Sequence, residues 1–531
     1  ASATAYAAPR NEAEQAVADI WAEVLGVERV GIDDGFFDLG GHSLLATMAV
    51  SRIAERLGRE VELRTLFENP RIREFGPLVA AARQAGATSV VPVDRSGPLP
   101  LSFAQERMWF LDRMSGVGDE YVLWYSWRIR GGLDRAAWQA ALDDVAARHE
   151  ALRTALVEVD GRPAQLVRPA AGVPLLWRPA PDGGGEDGTA ASRLDAVREE
   201  AAAYATRRFD LAEPPLLRAG VWELDPRDHV AVVAFHHAAT DGWSKDVVIG
   251  ELSAAYASRR AGQEPALPPV PVQYGDFAVW QRERMAGGEL ERQLGYWERA
   301  LAGLPALELP TDRPRPAGWS GRGAAVEVDL PPELAAGVGE LARRHGASRF
   351  MVLLAVLQTV LGRWSGQQDV AVGTPVAGRG QVELERLVGL LVNTVVLRGD
   401  LSGEPSFEEY LGRVRDAVLG AFEHQEVPFE RLVEQLRPER DPSRNPLFQV
   451  MFDVQESAAG GPRVDGLEVE HFPLPWRSAK FDLTATFLLY PDRFALNVEY
   501  ASDLFDAATA TRFAGHVRRA LESALADPAR P

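Results

Sequence analysis

The chain contains no cysteine. That absence excludes disulfides, thiolate nucleophiles and Cys-ligated zinc together. Lysine is almost as scarce: of 57 basic residues only Lys245 and Lys480 are lysine. The skew fits a GC-rich genome and by itself implies no mechanism. Positive charge is in deficit, with a net charge of −19, which disfavours a general nucleic-acid binder because phosphate neutralisation needs basic surface. Long apolar runs are missing too. The greasiest segment, FMVLLAVLQTVLGRW (350–364), is interrupted by Gln358 and too short to span a bilayer comfortably. The opening ASATAYAAPRNEAEQ lacks the apolar core of a signal peptide. The expectation is a cytoplasmic protein with no membrane and no nucleic-acid partner. No H-E-x-x-H and no G-x-S-x-G occurs, which removes the commonest zinc-hydrolase and serine-hydrolase signatures.

What is present divides the chain. At 531 residues it is too long for one core. Residues 12–25 place Val17, Ile20, Trp21, Val24 and Leu25 on one helical face. SLLATMAVSRIAERLG (43–58) repeats that spacing, and a further short helix with a break at ENPRI is expected over 64–80. This predicts a small helical bundle over 1–82. Residues 83–98, rich in small and turn-forming residues, predict a flexible linker. From 99 onward strands alternate with helices, and a proline-rich crossing near 265–276 suggests two mixed lobes, 99–270 and 271–531. APDGGGEDGT (180–189) reads as a surface loop.

The first candidate site is GGHS at 40–43, where Ser43 opens a helix. An isolated serine there is most simply an N-cap. Yet Gly40 and Gly41 would let another protein approach the backbone, and a phosphodiester on Ser43 would lie at a helix N-terminus, which favours anions. The whole stretch DDGFFDLGGHSLLATMAVSRI resembles the carrier domains of nonribosomal peptide synthetases. The resemblance implies covalent 4′-phosphopantetheine on Ser43, with His42 and Asp38 helping a phosphopantetheinyl transferase to recognise it. Phe36 and Phe37 read as core rather than contact.

The second is AFHHAATDGWSKD (234–246). Neighbouring side chains on a strand face opposite ways, so His236 and His237 cannot both line one cavity without a distortion. That argues against a two-histidine metal site, and no metal is expected. Two readings remain from the residues alone: satisfied core histidines, or one imidazole held neutral as a general base with ATDG closing the site.

Seven motifs in order carry a second resemblance. LSFAQERMWFL (101–111), RHEALRT (148–154), FHHAATDGWS, YGDFAVWQ (274–281), VGLLVNTVVLR (388–398), HQEVPFERLVEQL (424–436) and RDPSRNPLFQVMF (440–452) resemble those of the condensation domains of the same synthetases. The resemblance implies an α+β fold of two chloramphenicol acetyltransferase-like lobes in a V, following a four-helix carrier bundle. It implies an acyltransferase that forms peptide bonds between thioester-bound substrates. His237 would be the catalytic histidine, with His236 packing behind it. Asp241 would be tied to an arginine, for which Arg379 in PVAGR is the candidate. The Gly242 amide could hold a substrate carbonyl. Arg148, His149 and Asn393 match family positions but could equally be scaffold. The implied partners are an upstream adenylation domain and downstream adenylation and carrier domains, since the chain starts where one adenylation domain would end. The alternatives are a carrier–epimerase pair, which would need an E-G-H-G segment absent here, and an inactive docking domain of the same fold, which would lose the signature.

Overall fold

In this computed structural model all residues are described except 1–5, 85–88, 116–120, 182–189, 439–440, 457–460, 491–492 and 531. The loop expected at 180–189 therefore lies, from residue 182, outside the described residues.

The N-terminal bundle comprises α1 (Glu12–Leu25), α2 (Ser43–Leu57), α3 (Leu63–Glu68) and α4 (Ile72–Ala81). The α1 helix begins at Asn11, whose side chain accepts the Glu14 amide, and ends at Gly26 in the left-handed region (φ 66°), which glycine enters without steric cost. Its apolar stripe buries Val17, Ile20, Trp21 and Val24. Trp21 meets Phe36 edge-on and lies near Phe75. Phe37 packs on Phe36 and Phe67, so both phenylalanines are core, as expected.

The first lobe runs through β1 (Leu99–Pro100), α5 (Phe103–Ser115), β2 (Val122–Arg130), α6 (Arg135–Arg148), β3 (Thr154–Val159), β4 (Arg162–Val167), β5 (Leu175–Pro179), α7 (Ala190–Ala205), β6 (Leu217–Asp225), β7 (Asp228–His236), α8 (Gly242–Arg260) and α9 (Tyr274–Arg284). The rest comprises α10 (Leu290–Ala300), β8 (Gly323–Asp329), α11 (Pro332–Arg344), α12 (Arg349–Ser365), β9 (Asp369–Val376), β10 (Asn393–Asp400), α13 (Phe407–Glu423), α14 (Phe429–Leu436), β11 (Val450–Gln455), β12 (Glu468–His471), β13 (Leu483–Tyr490), β14 (Arg493–Ala501) and α15 (Ala507–Ala526).

Two large sheets result, ordered β12-β2-β7-β6-β5 and β10-β9-β11-β13-β14-β8, with a small β1-β4-β3 sheet beside the first. The division expected at residue 270 is not a clean cut in space. Tyr274 and Phe277 of α9, together with Leu384–Leu391, join the core of the first lobe, and β12 crosses over to pair with β2. The crossings bring chain segments distant in sequence to one place, which is where a site can be built.

In the second lobe the sheet has unlike faces. Phe452, Phe487, Leu496 and Val498 are buried in the core with Met351–Leu357 of α12. Register places Asp453, Thr486 and Asn497 side by side, and Thr484 beside Glu499, on the opposite, polar face. The run noted for its apolarity is thus a core helix. Among the described residues no single helix is long and apolar enough to cross a membrane.

The linker differs from the free coil expected. Gln84 bridges back to Arg59, Val90 is buried, and the Val93 amide and the Arg95 guanidinium both bond Asp276. Arg95 also reaches Glu150. Two valines and one arginine are enough to anchor a segment whose composition resembles coil.

Candidate active site

The β7 strand is buried along almost its whole length and ends at His236. The chain then tightens into a 3₁₀ turn, His237–Ala239, which is the distortion that lets the second imidazole leave the strand's alternation. His236 is buried. Its Nδ1 accepts the Ala238 amide at 3.0 Å, and its ring meets Phe209 edge-on. Burial, and then the charge of His237, pushes its pKa down to about 3.

His237 is set differently. Its Nδ1 lies 2.9 Å from the Thr240 carbonyl. A carbonyl oxygen can only accept, so Nδ1 carries the proton and donates, which leaves the Nε2 lone pair as the acceptor. Burial first, and then the Lys480 charge, pushes its pKa down to about 4 against the opposing pull of Asp241. The imidazole is neutral, in one tautomer, with Nε2 able to take a proton.

Asp241 caps α8 and is fully enclosed. Its Oδ1 accepts from the Ser244 amide (2.8 Å), the Ser244 hydroxyl (2.7 Å) and Arg379 Nη2 (3.1 Å). Its Oδ2 accepts from Arg379 Nη1 (2.9 Å) and the amides of Leu391 (3.0 Å) and Val392 (3.1 Å). Burial favours the protonated acid, but the Arg379 charge and these bonds outweigh it and hold the pKa below the usual carboxylate value. With both oxygens saturated by donors, Asp241 is suited to holding a turn and not to abstracting a proton. Arg379 is equally buried and also donates to the carbonyls of Ala377 and Leu387. The pairing expected between the two is present.

A Cβ built on Gly242 would meet nothing within 4 Å. Neither packing nor backbone demands glycine there; its side would open into free space. Arg148 and His149 both bond Glu251, at 2.9 and 2.8 Å, inside the first lobe. Asn393 donates to the carbonyls of Gln425 and Val427 and accepts from the Phe429 amide. All three tie scaffold elements together.

Sequence reasoning overlooked three features. Ser244 binds Asp241, and its hydroxyl accepts the Gly389 amide; it lies within FHHAATDGWS, where a pattern could have found it. Tyr274 fixes the same region by donating to the Leu390 carbonyl while its oxygen touches the Ser102 hydroxyl. Lys480, one of the two lysines, acts electrostatically on both histidines and on Glu499, and stands over the Tyr121 ring. Burial raises Glu499 to about 7. No local pattern marks such a group, because its surroundings come from three separate segments.

Ser43 is the first residue of α2 and not its cap; the cap position belongs to His42, whose side chain makes no capping bond. The helix start therefore has no side-chain cap on its amides, and the Ser43 hydroxyl is not used by its own helix, an arrangement that fits a phosphodiester. Instead Ser43 Oγ lies 3.2 Å from Ser348 Oγ, at the start of α12. The reason for Gly41 needs correcting: a Cβ there would collide with the Phe36 ring, so internal packing requires it. Gly40 has a left-handed φ of 97°. Asp38 faces Arg343 at 3.7 Å, and His42 faces Glu456 at 3.7 Å. Among the described residues no group of three His, Cys, Asp or Glu could hold a metal ion.

Comparison with known proteins agrees with this geometry. Residues 95–531 match the family model of the condensation domain, and residues 15–77 match that of the phosphopantetheine attachment site. The chain is 42% identical over 99% of its length to one of the linear gramicidin synthase polypeptides of Brevibacillus parabrevis, of which it covers 10%. The X-domain from teicoplanin biosynthesis, alone and in a complex with OxyB, superposes with TM-scores of 0.75 and 0.74 at 32% identity. The two matches cover 83% and 84% of this chain and 98% and 97% of the solved ones. The chain thus spans about a tenth of the length of that gramicidin synthase relative. A carrier bundle that bears 4′-phosphopantetheine is followed by a two-lobed α+β domain, and the chain belongs to the condensation-domain family of the nonribosomal peptide synthetases.

Proposed function

We propose that this chain forms peptide bonds, moving an acyl or peptidyl group from a thioester to the α-amine of a carrier-bound aminoacyl acceptor. The observation that carries the reading is the neutral His237, with Nδ1–H held by the Thr240 carbonyl and Nε2 left as the acceptor. 4′-Phosphopantetheine, when carried on Ser43, supplies the thiol that holds the acyl group as a thioester. His237 Nε2 takes the proton of the attacking amine as the C–N bond forms and the C–S bond breaks, and that proton can then pass to the departing thiolate. The Gly242 amide would hold a carbonyl oxygen, a role supported by the open space where its side chain would be. Asp241 and Arg379 keep the turn that presents both. Chain order supports donor delivery by Ser43, with the amine arriving on a separate carrier. A transferase that loads Ser43, an upstream adenylation domain and downstream adenylation and carrier domains are the partners this reading requires.

The test is a single turnover. The chain is loaded on Ser43 with an acyl group and mixed with a separate carrier bearing an amine, and both carriers are weighed intact. The acyl mass should move to the second carrier as an amide. A chain that condenses only when its own carrier holds the amine would reverse the donor assignment. A second reading, a recruiting domain without catalysis, draws on the likeness to the X-domain solved with OxyB. It would be favoured if no amide forms in either arrangement.

A further inference from the structure

The carrier bundle is seated on the second lobe through complementary charges. Arg64 approaches Asp416 in the middle of α13 and Glu423 at its end, and Asp38 faces Arg343 of α11. Closest of all, Arg52 Nη2 donates to Glu385 Oε2 at 2.9 Å, and the Ser51 hydroxyl donates to the Gly380 carbonyl at 2.8 Å. The Arg52 side chain is 10% exposed and that of Glu385 17%, so the pair is largely desolvated, and removing either partner leaves the other charge buried and unpaired. Arg52 Nη1 is buried without a hydrogen-bond acceptor, while Nε faces Glu23 of the bundle itself at 3.4 Å. The seat therefore carries a desolvation penalty that the parted domains escape, as a contact made to be broken should.

The segment that receives Ser51 and Arg52 is the one that builds the catalytic turn. Gly380 follows Arg379, the partner of Asp241. The Glu385 carbonyl accepts the indole N–H of Trp243 at 2.8 Å, one residue past Gly242. Beyond it Leu387 accepts from Arg379, Gly389 donates to Ser244, and Leu391 and Val392 donate to Asp241. The carrier touches one side of residues 379–392 and the Asp241–Ser244 turn is held by the other.

Resting on the proposed function above, we propose that the Arg52–Glu385 pair is a positioning contact that couples carrier docking to the active-site turn. When the carrier is seated, Glu385 is fixed from outside, Trp243 is held through the Glu385 carbonyl, and the Asp241–Gly242 turn keeps its geometry. When the carrier leaves, the outer bend of 380–385 loses both polar ties and the turn loosens.

The exchange measurements use the full unmodified chain without substrate, and the transfer measurements use the same chain loaded on Ser43. Amide hydrogen exchange is compared for the parent, Arg52→Glu, Glu385→Arg and the double swap Arg52→Glu/Glu385→Arg, after melting curves establish that all four fold. Each single variant should exchange at least several-fold faster than the parent in peptides covering 380–392 and 240–246, and the swap should return both regions toward the parent. Single-turnover acyl transfer from Ser43 should slow about tenfold in each single variant and recover in the swap. The inference is overturned if peptides of α2 exchange faster in Glu385→Arg, which leaves the bundle's own Arg52–Glu23 pair in place, while 240–246 is unchanged, since docking would then be lost without any effect on the turn. It is equally overturned if no region changes, or if the swap is no better than the worse single variant. If exchange at 240–246 responds as expected yet the parent forms no amide, the coupling stands and the peptide-bond assignment falls.

Discussion

Two imidazoles adjacent in the chain meet opposite fates because one ends a strand and the other begins a turn. His236→Ala removes ring packing against Phe209 and the acceptor for the Ala238 amide, so it should lower stability by about 1–3 kcal/mol and act on transfer mainly through that loss. His237→Ala should leave the fold intact and slow amide formation by about 10²- to 10⁴-fold, the range of a lost general base. Melting curves beside single-turnover rates separate the two; a His237→Ala chain as fast as the parent would remove the base assignment. With the amine's own ionisation divided out, the rate should stay flat from pH 8 to 5 and fall as Nε2 is protonated near 4. Stability has the same sign. An unfolded histidine titrates near about 6.5, whereas His236 and His237 titrate lower when folded. The unfolded chain therefore binds more protons below that pH, and stability declines as pH falls through the window. The contribution of Asp241, whose pKa is lowered, is kept until the pH falls below the ordinary carboxylate value. Asp241→Asn or Arg379→Ala leaves a buried charge without its partner and should cost about 3–5 kcal/mol, together with activity. Chemical denaturation checks the first and single turnover the second.

At the scale of elements, the site depends on a segment with almost no regular structure. Residues 379–392 include one short 3₁₀ turn, Val382–Leu384, yet they supply the arginine, three amides and two carbonyls that organise the start of α8. Their path is held from behind by Tyr274 of α9, whose ring lies where a Gly389 side chain would go. Gly389→Ala should therefore push Tyr274 off the Leu390 carbonyl and destabilise the lobe by about 1–3 kcal/mol through overpacking. Because the Gly389 amide also donates to Ser244, transfer should fall as well. A variant with parental stability and rate would mean that the segment gives way more easily than its packing implies.

At the scale of the whole molecule, the connector is shorter than its sequence length. Between the bridged Gln84 and the buried Val90 lie only residues 85–89, a span of about 17 Å when fully extended. Ser43 is 9% exposed in the seated carrier, so a transferase can reach it only after the carrier lifts. Arg95→Ala removes the ties to Asp276 and Glu150 that help to hold the segment carrying Val90 and Val93 on the first lobe. Loading of Ser43 by coenzyme A and a transferase should then proceed several-fold faster, followed by intact mass, while Ser43→Ala should accept nothing. Equal loading rates in the parent and Arg95→Ala would show that the connector does not restrain the carrier.

Much of this protein was legible in one dimension. The helical faces of the bundle follow from periodicity, and Ser43, His237, Asp241 and Arg379 are singled out by motif and resemblance, because such signals are local or repeat in order. The structure brings Asp241 and Arg379 together, although 138 positions separate them. What tertiary structure alone decided is everything that depends on approach between distant segments: the anchoring of Val90 and Arg95, the crossing of β12, the charge of Lys480 beside two histidines, the need for Gly41 to clear Phe36, and the seat of Arg52 on Glu385. A residue's type shows what it can donate or accept. Its partner is fixed only when burial makes one particular contact cheaper than water.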